Sequence, residues 1–178
     1  MQTNFIELAR KEGFADAAVI ETKKIVLDAS FRPYCEENLC GMYDANYSCP
    51  PDCGTPAEME QRLLGFQRAL VLRSVWSIND FKDTARIKAA KKEHNEATLR
   101  IAEELRRQGH QGLMIGASCC SLCSTCEKVQ GNPCKFPQKQ FSCMSAYCIY
   151  VKDLAEKCGM IYDYQKDALP LFSMYAFD

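Results

Sequence analysis

The order of elements legible in the sequence predicts an α+β or α/β fold, a mixed sheet of four or five strands with helices on its faces and two irregular Cys-rich loops. Three observations carry this. Runs rich in β-branched and aromatic residues (FADAAVIE, RALVLRSVWS, GLMIGAS, LPLFSMYAF) alternate with segments whose apolar residues recur every three or four positions. No internal repeat, low-complexity tract or polar linker interrupts residues 1–178, so they are read as a single domain. Two stretches, 35–54 and 116–137, hold four and five of the twelve cysteines among breakers and polar residues, and are read as metal loops.

Taken in order, residues 4–11 predict a short helix with Phe5, Ile6, Leu8 and Ala9 inward and Gly13 as its stop. FADAAVIE (14–21) predicts a strand, and 24–31, with Ile25, Val26, Leu27 and Phe31, fits strand or helix equally. Residues 33–56 carry Gly41, Asp44, Asn46, Pro50, Pro51, Asp52, Gly54 and Pro56, too many breakers for a regular element. Thr55 then stands as N-cap before Pro56 at the first helical position, with Glu58 completing a capping box. RALVLRSVWS (68–77) predicts a strand. A long helix should follow from Asn79 or Asp80 to Gln108, its apolar stripe being Phe81, Ile87, Ala90, Ala97, Ile101 and Leu105. GLMIGAS (112–118) predicts a buried strand that delivers the chain into the second loop. Val151–Cys158 predicts a helix ended by Gly159, and MIYDY and LPLFSMYAF two closing strands.

Composition narrows the function. A formal net charge of -1 and a pI near 6.2 give no electrostatic case for nucleic acid or an anionic membrane surface. No apolar run approaches the ~20 residues of a membrane span, and the N-terminal MQTNFIELARKEGF lacks the apolar block of a secretory signal. A cytoplasmic location is therefore expected, where cysteines serve as metal ligands or redox thiols rather than structural disulfides. GxGxxG, P-loop, HExxH and GxSxG motifs are absent, so nucleotide binding and hydrolysis have no motif support.

The cysteines point to a metal. Within GASCCSLCSTCEKVQGNPC, Cys120, Cys123 and Cys126 recur every third residue and Cys134 follows, a rhythm that holds an iron–sulfur cubane. Zinc is the rival, its usual mark being separated CxxC pairs around one tetrahedral ion. The first loop carries Cys35, Cys40, Cys49 and Cys53, with Pro50, Pro51 and Gly54 stiffening the last pair. Two sets of four thiols suffice for two sites, the expectation being two iron–sulfur clusters of the [4Fe–4S] type, with zinc as the alternative. Cys120 rather than Cys119 preserves the even spacing and is taken as the ligand; Cys119 is a spare thiol, a neighbouring group or the alternative ligand. Cys143, Cys148 and Cys158 read as buried small hydrophobes, with a third site or a redox thiol as the rival reading.

The blocks CGMYDANYSCPPDCGTP and CSLCSTCEKVQGNPCKFP resemble those of a predicted metal-binding family, domain of unknown function 2284. Its pattern pairs a C…C-x-x-YG…CPP…G block with a later CxxCxxC…C-[RK]-x-P block. The resemblance covers most of the chain and implies metal binding, as iron–sulfur clusters in anaerobic organisms. This chain departs from the pattern at Asp44, where glycine is usual, and in its additional thiols at Cys119, Cys143, Cys148 and Cys158.

Other residues invite functional readings. His94, beside the helix stripe, is read as a hydrogen-bonded packing residue before a ligand. His110 follows Gly109 and should face solvent. Tyr34, Tyr43, Tyr47, Phe136, Phe141 and Tyr147 either screen the metal sites or pack the loops onto the sheet. The basic run KAAKKEH is a solvated helix face. Acidic residues (Glu36, Glu37, Asp44, Asp52, Glu58, Glu60) surround the first loop and lysines (Lys128, Lys135, Lys139, Lys152) the second, which predicts a higher potential at the second site. The leading functional reading is an electron-transfer protein with a redox partner protein. The alternatives are an iron–sulfur enzyme with an open cluster iron acting on a small molecule, and a zinc-stabilised interaction module.

Overall fold

The computed structural model describes residues 4–163 and 166–178. Five strands, β1 (Asp16–Glu21), β2 (Arg68–Ser77), β3 (Gly112–Gly116), β4 (Ser142–Cys143) and β5 (Ala168–Phe177), form one sheet in the order β1-β2-β5-β3-β4. All neighbours are antiparallel except β3 and β4, so the sheet is mixed. Its centre is the pair of ten-residue strands β2 and β5, in register from Arg68↔Phe177 to Ser77↔Ala168. Burial explains their composition. Ala69, Leu70, Val71 and Leu72 are all inaccessible, because both faces of the sheet are covered and the usual apolar–polar alternation is lost.

The helices divide between those faces. α1 (Phe5–Lys11) and α4 (Thr84–Arg107) cover one, where Ala9, Ala97, Ile101, Ala102 and Leu105 meet Leu70, Leu72, Met114, Tyr175 and Phe177. On the other, Met59 and Leu63 of α3 (Pro56–Leu64) and Leu154 and Ala155 of α5 (Val151–Lys157) meet Val71, Ile115, Met174 and Ala176. The expected capping box is present: Thr55 Oγ1 accepts from the Glu58 amide at 3.3 Å, and Glu58 Oε2 accepts from the Thr55 amide at 2.8 Å. The family of sheet and helices is thus the α+β layering expected.

Several expectations need correction. The first Cys loop is not wholly irregular: a fifth helix, α2 (Arg32–Glu36), carries Cys35, with Pro33 in its first turn where a missing amide costs nothing. The long helix starts at Thr84, not Asn79 or Asp80, because the Asp83 side chain accepts from the Arg86 amide at 2.9 Å and caps it there. Phe81 therefore lies outside the helix and is exposed. Residues 22–24 and 29–31 form 3-10 turns, and Leu27 makes a single antiparallel bridge to Ile149. Met160–Asp163 of the expected strand MIYDY are irregular, and Tyr164 lies outside the described residues. β3 ends at Gly116, two residues early, and β4 went unforeseen because two residues carry no period.

Candidate metal centre

The sheet delivers the second Cys loop from the end of β3, and α4 catches it at once. Asn95, inaccessible on the buried face of α4, accepts from the Ala117 amide through Oδ1 at 2.9 Å and donates to Ser118 Oγ at 2.9 Å. From there the chain turns through Cys119 and Cys120, forms a 3-10 turn over Glu127–Gln130 and leaves it through Gly131, whose φ of 72° is readily available to glycine. Cys120, Cys123, Cys126 and Cys134 all line one small concavity, with Asn46, Tyr47, Glu127, Lys135 and Gln140 on its rim. The four second-loop residues expected as ligands are thus brought to one place.

The first loop is tied against the second by polar contacts. Inaccessible Ser48 accepts from the Cys120 amide at 2.9 Å, and Asn46 Nδ2 donates to the Cys120 carbonyl at 3.1 Å. Asn46 Oδ1 in turn accepts from the Ser48 amide and hydroxyl at 3.0 and 2.9 Å, so one buried amide side chain shapes the first loop and holds the second. Tyr47 donates to the Asn132 carbonyl at 2.8 Å. Lys128 ion-pairs with Asp44 at 3.0 Å and with Asp52, and lies over the Tyr47 ring. Sequence reasoning missed Asn46, Ser48 and Asn95; the available signal was a short polar residue inside a breaker run or on an apolar helix stripe.

The first loop's four thiols differ in burial, and Cys35 lies within electrostatic reach of both Cys40 and Cys53. Cys40 is exposed, Cys35 is half-buried on α2, and Cys49 and Cys53 are buried. Cys53 sits in the sheet's core with its Sγ 3.5 Å from Met59 Sδ. All twelve cysteines are free thiols. Among the described residues, no three His, Cys, Asp or Glu side chains converge closely enough to cage a single ion. The four thiols of the second loop ring their concavity instead of meeting at a point.

Electrostatics sorts the thiols further. Cys119 hydrogen-bonds with Cys49, and this contact lowers the Cys119 thiol to about 7 while it raises Cys49, whose burial adds to the rise. Burial pushes Cys143 up to about 12, and raises Cys35, Cys53, Cys120 and Cys158 as well. Arg32 opposes the rise at Cys35 and Cys53. The lysines credited to the second loop are largely engaged: Lys128 as above, Lys135 with Glu127 at 2.5 Å and Lys139 with Glu103 at 2.7 Å.

The remaining residues resolve as packing. His94 is buried and hydrogen-bonded to Ser74 Oγ at 2.5 Å and Ser173 Oγ at 2.8 Å, far into the sheet–α4 layer. His110 is half-buried, its ring packed against Phe5 and Phe177, rather than facing solvent as expected. Phe141 and Tyr147 pack inside, whereas Tyr34 and Phe136 are exposed. No helix among the described residues is long and apolar enough to cross a membrane.

Neither a curated protein nor a solved structure matches the chain. The family described as predicted metal-binding protein (DUF2284) matches residues 18–176, which takes in both Cys loops and every strand but the start of β1 and the last residue of β5. With nearly the whole chain matched and four thiols of the second loop lining one concavity, the protein belongs to this predicted metal-binding family.

Proposed function

We propose that this chain is an iron–sulfur protein that holds two clusters, of the [4Fe–4S] type, and passes electrons to and from a redox partner protein in a reducing, cytoplasmic compartment. The single observation that carries the reading is the ring of Cys120, Cys123, Cys126 and Cys134 around one concavity. Four thiolates disposed around a space suit a guest with several corners; a tetrahedral zinc with Zn–S of ~2.3 Å needs its sulfurs drawn to one point. The donor set fits as well: thiolates are the ligands that such clusters take. When bound, a cluster would supply a one-electron redox couple. The chain's own residues would contribute the sulfurs, the rim residues Tyr47, Glu127 and Lys135 at the solvent boundary, and two loops tied together through Ser48, Asn46 and Cys120.

The test is anaerobic purification with metal, sulfide and spectroscopic analysis. The expected protein is brown, carries about eight irons and about eight acid-labile sulfides per chain, and bleaches in the visible on reduction. A colourless protein with two zinc ions would sink the reading.

A further inference from the structure

The first loop's cysteines differ in burial and in what they lie against. Three contacts bring two of them, Cys35 and Cys49, to thiols from elsewhere in the chain. Arg32 Nη2 donates to the Ala146 carbonyl at 2.8 Å, docking α2, and with it Cys35 one turn later, onto the turn that follows β4. Cys143 is the second residue of β4 and pairs with Gly116, whose carbonyl accepts from the Met144 amide at 3.0 Å. Three residues beyond Gly116, Cys119 comes up near Cys49, because the amide of its neighbour Cys120 donates at 2.9 Å to Oγ of Ser48, the neighbour of Cys49. Cys143 lies within electrostatic reach of Cys35, Cys49 and Cys119; Cys40 and Cys148 also act on Cys35, and Cys35 acts on Cys53. Cys40 is exposed on the outside of the first loop, and Cys53 is turned into the core against Met59.

We infer that the second metal site is built from Cys35, Cys49, Cys119 and Cys143, drawn from α2, both loops and β4, and that Cys40 and Cys53 stand outside it. The assignment rests on the reading of the chain as a two-site protein and specifies one of those sites. It also divides the adjacent pair Cys119 and Cys120 between two sites, which their divergent side chains favour. Binding releases the thiol protons to solvent, leaving negative charge in a half-buried place. Two cations stand ready to offset it. Lys91 acts on Cys119, and Arg32, only 8% exposed, acts on Cys35. Arg32 Nη1 and Nη2 are engaged with the Gly54 and Ala146 carbonyls, but Nε is buried with no partner among the described residues. An orphaned guanidinium donor beside Cys35 is what a sulfur acceptor would satisfy.

The experiment uses the full chain, reconstituted anaerobically with ferrous iron and sulfide, and single Cys→Ser variants read by iron content and by electron paramagnetic resonance of the reduced protein. Cys119→Ser and Cys143→Ser should each lose about half the iron and one of two signals. Cys40→Ser should keep both, and Cys123→Ser should lose the other signal. Loss of one signal in Cys40→Ser or Cys53→Ser, with both kept in Cys143→Ser, would overturn the assignment and leave the two-cluster reading intact. A wild-type chain that takes zinc and no cluster, with one zinc lost in Cys119→Ser and in Cys143→Ser but not in Cys40→Ser, would overturn the cluster reading and leave the ligand set standing. To separate ligand loss from misfolding, wild-type protein is also alkylated with iodoacetamide before and after chelation. Cys35 and Cys119, the half-buried members of the set with cations beside them, should gain label on metal removal, while exposed Cys40 labels equally in both states; a Cys119 label unchanged by chelation would count against the site.

Discussion

Ser48 Oγ lies 2.9 Å from the Cys120 amide nitrogen, and through that one hydrogen bond the first Cys loop sets the position of the second. Ser48 is inaccessible and its hydroxyl also donates to Asn46 Oδ1, so it has no slack to give. Replacement by alanine leaves a buried amide without a partner, at a cost of about 1–3 kcal/mol. Ser48→Ala should lower the unfolding free energy of the metal-loaded protein in urea by that amount and speed metal loss to a chelator. Ser48→Thr, which keeps the hydroxyl, should lose less.

A second relationship governs acid stability. Trp76 Nε1 donates to Ser74 Oγ, and Thr98 Oγ1 donates to the His94 carbonyl. Thr98 then accepts from Ser173, so Ser173 must accept from His94 Nε2–H, and His94 Nδ1 accepts from Ser74. The imidazole is neutral in this ring of hydrogen bonds, and burial lowers its pKa to about 3. The unfolded chain takes up a proton near pH 6.5 and the folded one does not. The stability contributed by neutral His94 is therefore complete above 6.5 and lost as pH falls toward 3, with a slope of at most about 1.4 kcal/mol per pH unit. The difference in unfolding free energy between wild type and His94→Gln, measured against pH, should show this slope. A flat difference would count against the assignment, and a nitrogen-15 spectrum should show the Nε2–H tautomer.

Gly116 is the hinge between sheet and loop, and its missing side chain is structural. A Cβ there would stand 2.8 Å from both Asn95 Oδ1 and the Phe141 ring. Gly116→Ala should push Phe141 aside, disturb the Gly116↔Cys143 pairing and cost about 1–3 kcal/mol by overpacking. Metal content should fall with it. An unchanged thermal midpoint and full metal would contradict the tight packing described.

Metal removal should divide the chain into two populations of amides. The loops over 35–54 and 118–136 carry few sheet or helix hydrogen bonds, so chelation should speed their hydrogen exchange. Amides of β2 and β5, flanked on both sides by partners, should stay protected. Mass spectrometry of peptic fragments reads both at once; uniform protection before and after chelation would show that the metal has no hold on the loops.

Lys128 joins Asp44 and Asp52 in the first loop to the Glu127–Gln130 turn of the second. Lys128→Ala should loosen this junction and do so less at high salt, where the pair is already screened. Chelator-driven metal release measured at two ionic strengths would reveal a difference that shrinks with salt.

Much of the layering was legible because it depends on local pattern. The capping box at Thr55 and Glu58, the RALVLRSVWS strand and the Ala90-to-Leu105 stripe each declare themselves within a dozen residues. The start of α4 was misplaced because Asp80 and Asp83 are both acceptable caps, and side-chain geometry rather than composition chooses between them. The spacing of Cys120, Cys123, Cys126 and Cys134 pointed to residues that do surround one concavity. The grouping of Cys35, Cys40, Cys49 and Cys53 follows the order of the chain, whereas contacts made by other elements also bear on which thiols share a site. Nothing in the first loop announces that Arg32 docks α2 onto Ala146, 114 residues on, or that a two-residue strand paired with β3 brings up Cys143.

The place of β5 between β2 and β3 has a consequence for biosynthesis. On the ribosome, residues 35–54 and 116–137 emerge before 168–177, the strand that links β3 to β2 by lying between them. Until that strand arrives, the two loops have no common frame, and any cofactor delivered meets them as separate nascent segments. Delivery to the finished polypeptide is the order of events that this topology favours.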